Sequence, residues 1–243
     1  RIALLHFDGL PLGAYRLVID AAHITDRSNQ PLGTGLDVTR FQVVEPTSIS
    51  WVGAKGGNWS DPQQWSTGRL PGPSDSVDIV LAEGETLRYE AGTTVVRSLQ
   101  MTGGALNLVG GILSVSEPSQ VDSLRIATGT AGRGVFLGSG SLTIASSLVL
   151  DGGVLAGTGD TLIAAGAAGD LHAGVLDSRP ITVAGLLKGT GKVDYFRAPV
   201  LTIQPSGRFE AKNGFKLTGQ DGETGRLDLF GTFTTDAGAS VVF

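Results

Sequence analysis

The stretch SLTIASSLVLDGGVLAGTGD, residues 141–160, contains the pattern that decides the fold. Within it, leucine, isoleucine and valine alternate with small or polar residues in short runs. Glycine, serine, threonine or aspartate interrupts each run. Alternation with a period of two is typical of β-strands that bury one face. The stretch therefore predicts two or three short strands, joined by tight bends, within about twenty residues.

Similar runs recur through residues 77–243. They contain Leu-x-Ile, Leu-x-Leu or a close variant, and they begin at Leu99, Leu124, Leu142, Leu162, Ile181, Leu201 and Leu227. A repeat of about 20 residues is the sequence sign of a solenoid. We therefore predict an all-β chain in which residues 77–243 form a right-handed parallel β-helix of about seven coils. Alternate aliphatic side chains would fill a shared interior, and glycines would occupy the corners.

An antiparallel sandwich or barrel is the alternative, because its strands also recur every 8–12 residues or so. Asp-Gly hairpin signals are scarce, however, and occur only at Asp8-Gly9, Asp151-Gly152 and Asp221-Gly222. The register near 20 residues also repeats better than one near 10. Both observations favour the β-helix.

The composition excludes several classes of protein. The 243 residues carry a net charge of −5, with no run of lysine or arginine, which argues against a nucleic-acid partner. No apolar run reaches the ~18 residues of a membrane-spanning helix, so direct membrane insertion of this segment is not expected. Because the chain has no cysteine, it has neither disulfides nor thiolate metal ligands.

All three tryptophans lie in WVGAKGGNWSDPQQWSTGRLPGPSD, residues 51–75, just before the first predicted coil. A solenoid exposes its core at each end, so a cover is needed there. We predict that residues 47–76 are a linker and N-terminal cap, built from Trp51, Gly53, Gly57, Trp59, Trp65 and Pro71. The alternative is a glycan-binding platform formed by Trp59, Trp65 and Asn58, since indole faces can stack on sugar rings.

Residues 1–46 contain LPLGAYRLVIDAAHITDRSNQPLG, which resembles the closing strands of Ig-like modules found in tandem on bacterial surface-layer and adhesin proteins. The resemblance implies that these residues are the C-terminal part of an Ig-like β-sandwich. The loop glycine common in that pattern is missing here. Asp26 and Asn29 could bind calcium in the loop, although a turn capped by their side chains is the more usual role of such residues.

The tryptophan segment also resembles an element of bacterial exported repeat proteins, with Trp-x-Gly, Gly-x-Trp, Gln-Trp and then Pro-x-x-x-Asp-x-Val-x-Ile. In those proteins the element introduces β-helical or adhesin-like repeats. The resemblance implies an extracellular or cell-surface location and says little about activity.

No catalytic centre is legible. Asp151 and Asp170 are about one coil apart and, with Arg179 or Lys192, are the best candidates for polysaccharide cleavage. Acidic residues beside glycine are more often turn residues, and the three histidines are scattered. We therefore predict no enzyme activity, no catalytic residues, no metal and no cofactor.

The repeat predicts a rod, and the two resemblances imply a large exported bacterial surface protein. Together they predict a structural or adhesive segment of such a protein, acting as a rigid spacer or attachment surface. Its partners could be glycans, the surface of a host or neighbouring cell, or copies of itself. The alternatives are a glycan-binding or polysaccharide-degrading β-helix and a self-assembling surface-layer or filament subunit.

Overall fold

The computed structural model describes residues 10–25, 28–31, 33–43, 47–197, 200–212, 214–219 and 224–241. Strands make up 61% of it, and the described residues contain no α-helix, only a three-residue 3-10 helix at Pro62–Gln64. The prediction of an all-β chain is confirmed. Two compact units divide the chain, residues 1–46 and residues 47–243.

The first unit contains a two-stranded antiparallel sheet. Strand β1 (Gly13–Asp20) pairs with β2 (Leu36–Val43) from Gly13 opposite Val43 to Asp20 opposite Leu36. Tyr15, Leu17 and Ile19 alternate with more exposed neighbours, as the period of two predicts. The Tyr15 hydroxyl donates a hydrogen bond to the carbonyl oxygen of Pro11, at 2.8 Å. Asp26, one of the two proposed calcium ligands, lies outside the described residues.

The second unit contains the remaining twenty-two strands. They are β3 (Thr47–Ser50), β4 (Gly57–Asn58), β5 (Asp75–Val80), β6 (Thr86–Tyr89), β7 (Thr93–Val96), β8 (Ser98–Thr102), β9 (Ala105–Leu108), β10 (Ile112–Val115), β11 (Ser119–Gly129), β12 (Gly132–Arg133), β13 (Val135–Gly138), β14 (Leu142–Ala156), β15 (Thr161–Ile163), β16 (Ala168–Asp177), β17 (Ile181–Val183), β18 (Leu186–Phe196), β19 (Val200–Ile203), β20 (Arg208–Ala211), β21 (Lys216–Gly219), β22 (Arg226–Leu229), β23 (Thr232–Thr235) and β24 (Ser240–Val241).

These strands form the three faces of a parallel β-solenoid. The first face stacks β3, β5, β8, the start of β11, the start of β14, β15, β17, β19 and β22. The second stacks β4, β6, β9, the rest of β11, the middle of β14, the starts of β16 and β18, β20 and β23. The third stacks β7, β10, β13, the ends of β14, β16 and β18, then β21 and β24. Strand β12, which pairs antiparallel with the end of β11, lies outside these faces.

About seven turns connect Val77 to Leu227 along the first face, as predicted. The parallel ladder also extends to earlier residues, because β3 pairs with β5 and places Ile49 beside Val77. The backbone N–H of Trp59 likewise donates to the carbonyl of Arg88 in the next turn, at 2.8 Å. The tryptophan segment is thus part of a further turn at the N-terminal end of the solenoid.

Each face sends one set of side chains into a common apolar interior. On the second face, Leu87, Leu106, Leu124 and Leu148 occupy consecutive inward positions and are almost fully buried. Burial of a leucine side chain contributes about 2 kcal/mol. Leucine therefore fills the same inward position in four successive turns, and Gly169 occupies that position in the next turn.

The register corrects two details of the repeat inferred from sequence. Leu124 belongs to the second face; on the first face Gln100 pairs with Gln120, which makes Ser119 the residue that follows Leu99. Leu162 points outward, because Leu142 pairs with Thr161 and places Thr161 and Ile163 inward. The uneven spacing around Leu124 therefore arose from mixing two faces, whereas the longer step from Leu201 to Leu227 is a true spacing on the first face.

These positions allow a test of the register. We expect Leu148→Ala to lower the free energy of unfolding by about 2–5 kcal/mol, because it opens a cavity in the core. Leu162→Ala removes the same atoms from an outward position and should cost less than about 1 kcal/mol. Chemical denaturation of both variants measures the difference, and equal losses would contradict the assigned faces.

Candidate functional site

The three tryptophans form a buried cluster at the first turn. Trp51, Trp59 and Trp65 are 7%, 2% and 1% exposed. The Trp65 ring lies between the other two, with centroid distances of 5.1 Å to Trp51 and 4.8 Å to Trp59, both edge to face. Trp59 also contacts Tyr89 of the next turn, at 5.7 Å. Such edge-to-face contacts add to the stabilisation that burial provides.

The backbone around the cluster follows from local sequence. Trp51 and Trp65 form an antiparallel bridge, and the Trp65 indole N–H donates to the carbonyl of Trp59 at 3.0 Å. Gly53 is required next to this bridge, because a Cβ atom there would lie 2.6 Å from the Trp51 ring. A Cβ atom on Gly57 would lie 3.1 Å from the same ring. The backbone at both glycines therefore packs closely against the Trp51 indole.

An ion pair between a half-exposed arginine and a buried carboxylate fixes the chain between the tryptophans and β5. Asp75 is almost fully buried, and its carboxylate accepts two hydrogen bonds from the Arg69 guanidinium, at 2.6 and 2.8 Å. The N–H of Gly72 donates to the same carboxylate at 2.7 Å, and Pro71 beside it is buried. Sequence reasoning assigned no role to Asp75, although it belongs to the motif that resembles exported repeat proteins.

The polar residue proposed for glycan binding, Asn58, lies beside the cluster in a cavity of about 330 Å³. Its side chain is already paired: the amide nitrogen donates to Glu90 at 2.6 Å, and the amide oxygen accepts from Ser60. The ring faces of Trp59 and Trp65 contact protein rather than solvent. This geometry fits the predicted cap better than the alternative of a stacking platform.

The residues considered for catalysis do not form one site. Asp151 pairs with Arg125, whereas Asp170 accepts a hydrogen bond from Thr190 at 2.7 Å. The Nζ atom of Lys192 lies 3.4 Å from Asp194. Asp170 pairs in register with Val149 and Asp151 with Ala173, so the two carboxylates occupy different columns of the ladder. These are the contacts of residues that stabilise a solenoid surface, and the absence of enzyme activity stays a prediction.

The structure does not place Arg179 beside Asp151 and Asp170, where the sequence analysis considered it as a candidate for polysaccharide cleavage. Instead of facing a groove beside Asp170, its side chain is fully buried at the corner between the third and first faces. Burial lowers the pKa of Arg179 to about 10, which leaves the guanidinium charged at neutral pH. Its contacts are described below.

The outward surface differs from face to face. The outward column on the first face is mainly polar and includes Asp78, Gln100, Gln120, Thr143, Thr182 and Thr202. On the third face, Ile112, Val135, Val154 and Val175 lie side by side in four consecutive turns. Each of these four side chains is half-buried by its neighbours. We call these four residues the aliphatic stripe, a feature that sequence reasoning missed because it expected the alternating aliphatic side chains to face the interior.

No family model, no curated protein and no solved structure matches this chain. Within the described residues, no helix has the length and hydropathy needed to cross a membrane. The same residues contain no group of three or more potential metal ligands from histidine, aspartate and glutamate.

The cap makes a testable contribution to stability. We expect Trp59→Ala to lower the free energy of unfolding by about 3–5 kcal/mol, because it removes the ring that joins Trp65 to Tyr89. Val52→Ala, an exposed position in the same segment, is the control and should change little. A thermal melt of Trp59→Ala that matches the wild type would rule out the cap.

The Arg69–Asp75 pair predicts a pH dependence. The hydrogen bond from Arg69 lowers the pKa of Asp75 below its ordinary value of 3.8. A carboxyl group whose pKa is depressed by folding stabilises the protein above the unfolded value, and that stability is lost as the pH falls through the folded value. We expect Asp75→Asn to weaken the loss of stability below about pH 3.8. Arg69→Met should move that loss to higher pH, because the buried carboxylate keeps no cation; denaturation at a series of pH values measures both.

Proposed function

We propose that this chain is a stiff, adhesive segment of a large exported bacterial surface protein, in which the solenoid acts as a spacer. The observation that carries the proposal is the parallel ladder that the described residues form between Thr47 and Val241 around an apolar core. Backbone hydrogen bonds between turns run along the long axis of such a solenoid, so bending requires their distortion. Seven turns at about 4.8 Å each span roughly 35 Å.

Two structural details belong to the same proposal. We take the solenoid to be right-handed, since crossovers between parallel strands of one sheet are right-handed in about 98% of cases. We take residues 1–46 to be the end of an Ig-like sandwich. The antiparallel pairing of β1 with β2 and the hydrogen bond from the Tyr15 hydroxyl back to Pro11 support this assignment.

The adhesive part of the proposal is supported by the aliphatic stripe. It places apolar side chains on one side of the solenoid, whereas the first face presents threonine, glutamine and aspartate. Apolar surface that is set among polar residues is typical of attachment sites. The surface location itself rests on the resemblance of residues 51–79 to exported repeat proteins.

Stiffness can be tested by spin labelling, because the chain contains no native cysteine. Gln100→Cys with Thr202→Cys places two labels five turns apart on the first face, and Asp78→Cys with Thr202→Cys places them six turns apart. We expect two narrow distance distributions whose means differ by about 5 Å, the spacing of one turn. Broad distributions, or means that do not differ, would contradict a stiff spacer.

Attachment can be tested separately. Beads coated with the Val154→Lys variant should adhere to bacterial or host cells several-fold less than wild-type beads, because a charge interrupts the stripe. Thr182→Lys, which adds the same charge on the first face, is the matched control. Equal loss in the two variants would assign adhesion to net charge and remove the stripe from the proposal.

A further inference from the structure

Arg179 lies at a corner of the solenoid where three successive turns meet. The corner segments are residues 139–141, 157–160 and 178–180, each of which connects the third face to the first. Arg179 belongs to the third segment, and its side chain extends towards the first two. It is fully buried, and its guanidinium lies 5.6 Å from the centre of the Phe136 ring in the core.

All five N–H groups of the guanidinium are used. Nε donates to the Thr161 hydroxyl at 2.7 Å. The two Nη atoms donate to four carbonyl oxygens, those of Gly138 at 3.1 Å, Ala156 at 3.3 Å, Gly140 at 2.8 Å and Asp160 at 2.9 Å. The acceptors belong to two earlier turns, so one side chain links three turns.

Two of these carbonyls serve the ladder as well. The oxygen of Gly138 also accepts from the N–H of Gly159, and the oxygen of Asp160 from the N–H of Leu142. Arg179 therefore supplies a second donor to oxygens that already join adjacent turns. Each carbonyl oxygen can accept two hydrogen bonds, so the two sets of bonds do not compete.

The corner is built to admit this side chain. A Cβ atom on Gly140 would lie 2.1 Å from the carbonyl oxygen of Glu117, and one on Gly159 would lie 2.1 Å from that of Gly140. Only glycine allows the segments to stack this closely, and the close stacking brings their carbonyls within reach of one guanidinium. The inward hydroxyl of Thr161, at a position where Leu142 and Ile181 supply aliphatic groups, completes the site.

Among the described residues no carboxylate forms an ion pair with Arg179, although the nearby charge of Asp160 favours the protonated guanidinium. In the described part of the chain, the other fully or nearly buried charged groups are Asp75 and Glu210, and both form ion pairs. Arg179 makes its hydrogen bonds to carbonyls and a hydroxyl alone. A buried charge is tolerated when all its hydrogen-bonding groups are satisfied, and its removal leaves several acceptors unpaired at once.

We propose that Arg179 is an internal clamp that makes the turns from Gly138 to Arg179 open together rather than one by one. Loss of any single turn in this region would leave donors of the guanidinium unpaired in a dry corner, so separation of one turn requires separation of all three. The clamp itself does not depend on the function proposed above. Only its use in a load-bearing spacer rests on that function.

Hydrogen–deuterium exchange tests the clamp without reference to adhesion or location. The reporters are the amides of Leu142, Gly157, Gly159 and Thr161, which donate to carbonyls across this corner. In the wild type we expect them to share one high protection factor, which is the intrinsic exchange rate divided by the observed rate. Arg179→Lys keeps the charge but cannot span five acceptors, so the protection factors of these amides should fall about tenfold or more and differ from one another.

Arg197→Met is the matched control, because Arg197 follows the third face one turn later but pairs with Asp177 on the outside. It should leave the four reporter amides unchanged. If Arg179→Lys does not fold, Thr161→Val provides the test, since it removes one acceptor and retains the arginine. Unchanged exchange in both Arg179→Lys and Thr161→Val, or an equal effect of Arg197→Met, would overturn the clamp. Failure of the spin-label experiment alone would leave it standing.

Discussion

The hydrogen-bonded contact between successive turns is the constraint on which the rest of this structure depends. Parallel strands about 4.8 Å apart leave room for side chains only above and below the ladder, so every turn must repeat the same division into inward and outward positions. Apolar residues in one turn then stack on apolar residues in the next. The column of Leu87, Leu106, Leu124 and Leu148 is the direct consequence.

The same constraint explains the ends and corners. The first turn cannot be covered by a preceding one, and its interior is closed by indoles that pack on each other and on Tyr89. At the corners the backbone must bend without a loss of turn spacing, which requires residues without a Cβ atom where carbonyls approach. Gly140 and Gly159 occupy such positions, and the closely spaced carbonyls that result accept the hydrogen bonds of Arg179.

Polar residues on this solenoid mostly bind one another. Arg125 pairs with Asp151, Asp170 with Thr190, and Arg69 with Asp75, each pair satisfied without an external ligand. The first two of these pairs join neighbouring turns. Because acidic residues of this solenoid make such structural contacts, an acidic residue by itself does not indicate an active site.

The sequence by itself determined the all-β class, the parallel solenoid, the number of turns and the place of the tryptophans. These features could be predicted because period-two alternation, a repeat near 20 residues and a cluster of indoles are each visible in the order of residues along the chain. The assignment of each run to a face needed the tertiary structure. The runs at Leu99 and Leu124 are similar in sequence, but the pairing between turns shows that they lie on different faces of the solenoid. The inward and outward choice at Leu162 depends on its partner Leu142 in the same way.

The burial of the Arg179 side chain could not be predicted from the sequence, for a further reason. The glycines at 138, 140, 157 and 159 recur at a spacing of 19 residues and could have indicated a narrow corner. An arginine in a polar segment, however, is ordinarily exposed, since burial of its charge is unfavourable unless every donor is satisfied. Its five acceptors come from residues 138 to 161, and only the winding of the chain brings them to one point. The tertiary structure therefore decided which charged groups face solvent and which are buried.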